Sequence, residues 1–328
     1  MHFARTGPDN IRRFTPTLLR SDLTALGRII RLETNSPAIL QQVNKTFDHC
    51  GMTPSGQGDF LWRLVVEGDE ESPPPLAEIS GMSVDGLYLL NIGQGSFFGL
   101  HRATRLAIGF VRGELVKDSQ GFEQLFLAPL FTATAESLGL TAFSAACVAL
   151  EGKGLLVLGP TQDYKTLCCF AASKKGLRFH ANQVVFLEST AGELRAWGDI
   201  RPATLCQESV RVFPEFVSRA LSASSGESAF QGLEGLQAHA RGAQSVRPAC
   251  SVILSTDGEG TPMRQLVDRR EWEAIVEENC LVMNRQCWGA EHADVVHSLR
   301  RLPAYRLPYR GDPFSVAEDF RSILETAP

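Results

Sequence analysis

Eight consecutive residues carry the types and spacing that phosphate chemistry needs: Gly159, Pro160, Thr161, Gln162, Asp163, Tyr164, Lys165 and Thr166. Against the pattern G-x-x-x-x-G-K-[ST], the segment supplies Gly159, Lys165 and Thr166 but sets Tyr164 where the second glycine belongs. In an intact loop of this kind the lysine ammonium bridges the outer phosphates, and the Ser/Thr hydroxyl is given to Mg²⁺. Thr166 is therefore the expected metal contact. Glycine serves at the second position because the backbone must approach phosphate without a Cβ, so a phenol ring at Tyr164 fills that space or opens the loop. Asp163 adds a carboxylate that repels an anion unless it pairs with Lys165 or a metal.

Such a loop acts only between a strand and a helix, where its N–H groups and the helix N-terminus form an anion site. The sequence meets that condition. Gly154–Leu158 is an apolar run of strand length, Gly159–Tyr164 is rich in turn residues, and Lys165–Lys175 is a helix closed by Gly176. A second short apolar run, Val184–Leu187, follows.

This order, with "KGLRF" and "VVFLE" after the helix, resembles the C-terminal domain of HPr serine kinase/phosphorylase, whose P-loop fold is shared with phosphoenolpyruvate carboxykinase. "LETNSP" at Leu32–Pro37, "ALEGKGLLVLGP" at Ala149–Pro160 and "LPAYRLPY" at Leu302–Tyr309 extend the resemblance over most of the chain. The resemblance implies ATP and Mg²⁺ as cofactors and a serine of a protein or peptide as phosphate acceptor. It also implies a possible homo-oligomer.

Two further motif positions are changed. Asn182 and Gln183 occupy the place of the family's Asp-Asp pair, which takes the serine proton and helps hold Mg²⁺; amides have no basic form near neutral pH and bring no charge to a metal. Ser144 stands where the family carries a histidine. His180 is read as a structural residue at a strand end rather than a replacement base, and Glu188 and Asp199 as surface or strand-end carboxylates. In a kinase one of Arg300, Arg301 and Arg306 would reach a phosphate; the reading taken is that they line the final strand and snorkel over apolar surface. Together these changes describe an HPr-kinase-related protein whose ATP-dependent serine phosphorylation is weakened or lost. The alternative is a non-catalytic protein that keeps the cleft to bind a peptide, a protein or an anion.

Composition fits that class. The chain has 328 residues, 44% of them hydrophobic, and a formal net charge of -5, enough to build a core unaided and without the basic stripe of a nucleic-acid binder. No apolar run is long enough to span a bilayer, and the first residues, with Arg5, Asp9, Arg12 and Arg13, lack the apolar centre of a signal peptide. The expectation is a cytoplasmic protein without a membrane or nucleic-acid partner. The 8 cysteines are dispersed without C-x-x-C pairs or Cys/His clusters and are read as small buried hydrophobes.

Along the chain, "GRIIRLETN" predicts a strand, and Ser36 caps a helix with Pro37 at its first position and Ile39, Leu40, Val43 and Phe47 on one face. Phe60–Glu67, Leu87–Ile92 and Leu106–Val111 predict strands, with a hairpin at Asp85-Gly86. Glu70–Pro75 reads as an exposed loop. Gly121–Leu140 reads as helical through Phe122, Leu125, Phe126 and Leu130 despite Pro129. Ala191-Gly192 predicts a hairpin turn, Ser222–Ser228 a polar loop, Val252–Leu254 a strand, and Glu271–Val282 and Val316–Leu324 helices. The expected architecture is α/β: a small N-terminal α+β module over 1–120, and an HPr-kinase/PEP-carboxykinase-like P-loop core with a mixed sheet over 121–328.

Overall fold

The computed structural model describes residues 17–47, 58–67, 79–84, 86–93, 95–159, 162–199, 212–213, 245–255, 264–281 and 289–327. They fall into two compact units, one drawn from Met1–Leu23, Ile29–Lys45 and Ser55–Leu130, the other from Thr24–Arg28, Thr46–Pro54 and Phe131–Pro328. The loops expected at Glu70–Pro75 and Ser222–Ser228, like Pro160 and Thr161, lie outside the described residues.

The first sheet has seven strands: β1 (Leu19–Ala25), β2 (Arg28–Thr34), β3 (Phe60–Glu67), β4 (Ile79–Val84), β5 (Leu87–Ile92), β6 (Ser96–His101) and β7 (Leu106–Arg112), in the order β1-β2-β3-β7-β6-β5-β4. Between β2 and β3 runs α1 (Pro37–Phe47), started by the Ser36 hydroxyl, which accepts from the Ile39 amide at 3.3 Å. β2 and β3 are therefore parallel, as a helical crossover requires, while β4 to β7 form antiparallel hairpins. Strands β5, β6 and β7 alternate buried and exposed residues, so one face is covered and the other is not. Gly86, at φ +79°, makes the turn between β4 and β5.

After β7 come α2 (Gly113–Lys117), α3 (Ser119–Gly121), a π-helical turn over Phe122–Leu127 and α4 (Ala128–Ser137). The continuous helical period expected here is broken by that turn. Pro129 has no N–H to donate, and the wider i→i+5 spacing buries Leu127 beside Phe122 and Phe126 while leaving Leu125 half-exposed.

The second unit holds β8 (Thr141–Phe143), β9 (Ala146–Leu150), β10 (Lys153–Leu158), α5 (Gln162–Lys174), β11 (Arg178–Ala181), β12 (Val185–Thr190), β13 (Glu193–Gly198) and β14 (Arg247–Ser255). It continues with β15 (Gln265–Leu266), α6 (Arg269–Asn279), β16 (Cys280–Leu281), α7 (Ala290–Arg300), β17 (Ala304–Pro308) and α8 (Pro313–Thr326). One sheet has the order β11-β9-β10-β14-β17-β15, with β10, β14 and β17 mutually parallel and β9, β11 and β15 antiparallel. A second, antiparallel sheet has the order β13-β12-β8-β16. The mixed α/β architecture is as expected.

Two cores explain the continuous apolar runs. Helices α5 and α8 cover one face of the six-stranded sheet with Phe170, Val316 and Phe320. Its other face shares a core with the four-stranded sheet and with α6 and α7, through Leu156, Val185, Trp272 and Val295. Strands β9, β10 and β14 are thus buried on both sides and cannot alternate. The helix expected over Glu271–Val282 stops at Asn279, because Cys280 and Leu281 pair with Phe143 and Ala142 of β8.

Cys147, Cys168, Cys169 and Cys250 are buried in these cores and Cys280 is partly so. Burial pushes the Cys250 thiol up to about 12 and that of Cys280 to about 11, in keeping with their reading as small hydrophobes.

Candidate functional site

Strand β10 ends at Leu158, Gly159 follows, and α5 begins at Gln162. The sequence places a strand, a short connection and a helix N-terminus in direct succession, and the register of the sheet decides what surrounds them. Strand β9 runs antiparallel with Ala146 opposite Val157, so the start of β9, which follows Ser144, lies at the same end of the sheet. Strand β11 brings Ala181 opposite Cys147, carrying Asn182 to the same end. Strand β14 finishes there at Ser255, whose carbonyl accepts from the Tyr309 amide at 2.8 Å beyond β17. This is the carboxyl end of the parallel strands, where open α/β sheets form their ligand crevice.

Lys165 lies in the first turn of α5 and is 7% exposed. A Cβ on Gly159 would stand 3.3 Å from Lys165 Cγ and 3.4 Å from Leu254 Cβ, so the lysine stem passes close to the end of β10 and a side chain there would press on it. Among the described residues Lys165 has no carboxylate partner. Burial, the larger effect, lowers its pKa, against a smaller opposing influence of Cys169. The side chain of Asp163, expected as a local ion-pair partner, lies outside the described residues, as does that of Gln162.

Thr166 is 1% exposed, and its hydroxyl donates to Asn182 Oδ1 at 2.6 Å. That length suits O–H···O better than N–H···O, which makes Oδ1 the acceptor and leaves Nδ2 as the other half of the amide. Asn182 is 6% exposed, and among the described residues its Nδ2 has no hydrogen-bond partner. Ser255 Oγ, at the end of β14, is also buried without a partner among those residues. Unmatched buried donors are costly and call for an explanation.

Tyr164 lies in the first turn of α5, which starts three residues before the Lys165 expected from the sequence, and its ring meets that of Tyr309, centroids 4.7 Å apart. Aromatic packing therefore holds the phenol expected to obstruct the loop. Gln183 is partly buried next to Asn182. Ser144 is placed through its backbone, the amide donating to the Asn279 carbonyl at 2.8 Å.

His180 is a structural residue, as read from the sequence. Its Nε2–H donates to the Ala196 carbonyl at 3.0 Å, tying β11 to β13. Burial, ahead of the opposing backbone bond, lowers its pKa to about 4. Glu188 departs from the sequence reading. It is 8% exposed, and its carboxylate accepts from Arg28 and from the Trp197 indole, each at 3.0 Å. Asp199 is buried as well. Both were read as solvated carboxylates at the surface or at a strand end, the default for a carboxylate whose buried donors are distant in sequence; Asp199 does follow the end of β13, but both are buried. Arg306 pairs with Glu271 and Arg300 with Glu277, so these two arginines are held by helix α6.

The donors among the described residues do not fit Mg²⁺. A hard divalent cation needs several oxygens, carboxylates among them. Here Thr166 gives its proton to an uncharged amide, and among the described residues no three His, Cys, Asp or Glu side chains form a group able to hold a metal. The nearby Asp312 is spent as the N-cap of α8, accepting from the Phe314 and Ser315 amides. The Thr166–Asn182 bond was not legible in sequence, since it depends on the β9–β11 register.

No protein-family profile matches the chain, and no curated protein matches it. Among solved structures it is similar to the HPr(Ser) kinase/phosphatase from Coxiella burnetii, at 12% identity and a TM-score of 0.31, covering 56% of this chain and 98% of that one. A likeness of that size carries no argument about function. No helix among the described residues is long and apolar enough to cross a membrane.

Proposed function

We propose that the protein binds a phosphate-bearing ligand at the first turn of α5 and does not transfer phosphate to serine. The observation that carries this reading is the Thr166–Asn182 hydrogen bond beside the buried Lys165. Lys165 and the helix N-terminus supply positive potential for an anion. Transfer asks for more: a base to take the serine proton and anionic ligands for a metal. Asn182 supplies neither, and His180 is tied to a backbone carbonyl. The HPr-kinase-like order of strand, loop and helix thus serves recognition, with ATP, ADP or another phosphate-bearing ligand as the occupant.

The test uses the full chain and its Lys165→Ala variant. Saturating ATP, ADP or pyrophosphate raises the melting midpoint of the native chain, by a stabilisation of about 2.7 kcal/mol at a hundredfold excess over Kd, and has no effect on the variant. Incubation with labelled ATP, Mg²⁺ and a library of serine-containing proteins gives no Lys165-dependent incorporation. Lys165-dependent labelling would overturn the non-catalytic reading, and a midpoint unmoved by all three ligands would overturn binding.

A further inference from the structure

We infer that the anion bound at this site is taken up free of divalent metal, with the Asn182 Nδ2 amide as a direct donor in the place where a metal-dependent site would set a carboxylate. The inference rests on the binding reading above and adds what selects the ligand. Four observations carry it. Asn182 is 6% exposed, and its Nδ2 has no partner among the described residues although a buried N–H seeks one. Its Oδ1 is fixed by Thr166 at 2.6 Å, so the amide is held at the first turn of α5 and cannot swing to the surface without breaking that bond. The adjacent Lys165 is buried without a carboxylate partner among the described residues. No carboxylate cluster is present among those residues to hold a cation.

A metal-dependent phosphate site offsets ligand charge with a cation that its carboxylates retain. Among the described residues this site has the opposite arrangement: an uncharged amide donor and a buried ammonium, with no carboxylate between them to retain a cation. A ligand arriving as its Mg²⁺ complex has part of its charge already neutralised and brings a cation toward Lys165, so the free anion is preferred. The Thr166 hydroxyl, in giving its proton to Asn182, positions that amide instead of serving a metal. Asn182 is thereby a specificity-determining residue, and the ligand class is an uncomplexed phosphoryl or pyrophosphoryl group.

Inorganic pyrophosphate is the probe, titrated calorimetrically into the full chain in EDTA and again in excess Mg²⁺. The expected result for the native chain is binding in EDTA that excess Mg²⁺ weakens. Asn182→Asp keeps the acceptor for Thr166 and is isosteric, so its unliganded melting midpoint checks folding. It loses at least tenfold in affinity in EDTA, where a second anion now faces pyrophosphate, and recovers when Mg²⁺ is added. Native binding that requires Mg²⁺ or is unaffected by it, or an Asn182→Asp variant with unchanged affinity in EDTA, would overturn the inference and leave the binding reading standing. Absence of pyrophosphate binding under every condition would overturn both. The native comparison needs no variant, so a poorly folded Asn182→Asp still leaves a decisive measurement.

Discussion

His180 shows how one buried side chain links the fold to pH. Its pKa, lowered to about 4 from an ordinary 6.5, means that between those values the unfolded chain binds a proton that the folded chain refuses. Stability therefore rises with pH across that window: the contribution is complete above pH 6.5 and is lost as pH falls toward 4. The loss amounts to about 3 kcal/mol once pH is below both values. Urea titrations at pH 7 and pH 5 are expected to show this fall in the native chain and a smaller one in His180→Gln, and equal slopes would refute it. The residue scale is also where the sequence spoke most unevenly. Lys165 and Thr166 were legible because a strand-loop-helix fixes them by spacing. The Asn182 partner of Thr166 was not, because a side-chain hydrogen bond across 16 residues depends on which strands pair.

Among the elements, the hairpin of β12 and β13 turns through Ala191 and Gly192, both at positive φ, as the sequence at that turn predicted. Its interior acceptor, Glu188, satisfies Arg28 and the Trp197 indole together. Glu188→Ala leaves two donors in a mostly buried place without a partner and is expected to cost about 2–4 kcal/mol. Glu188→Gln keeps an acceptor for Trp197 and costs under about 1.5 kcal/mol. Chemical denaturation of the two variants checks this, and equal losses would mean that the bonds do not govern the hairpin. Element types were read well where a cap or a turn residue marks an end, as at Ser36-Pro37 and Gly176. They were read less well where pairing overrides period. Strand β16 ends a helix that the apolar spacing would continue, and the π-helical turn before Pro129 shifts the buried face by one residue.

For the whole molecule, the sequence showed a mixed α/β chain but not the interleaving of its units, which follows from contacts between distant segments. The segments of the first unit contain no cysteine, whereas Cys147, Cys168, Cys169, Cys250 and Cys280 all belong to the second. Thiolate is the species that alkylates, and burial raises the thiol pKa of all five. Modification must therefore wait for these cores to open. Under native conditions, iodoacetamide is expected to label Cys168 and Cys169 slowly, and more slowly still with pyrophosphate bound at the start of the same helix. Mass spectrometry of timed samples reads this directly, and complete labelling on mixing would show that α5 is not held shut. The distribution of thiols gives the chain a built-in clock that times the breathing of one unit and is silent about the other.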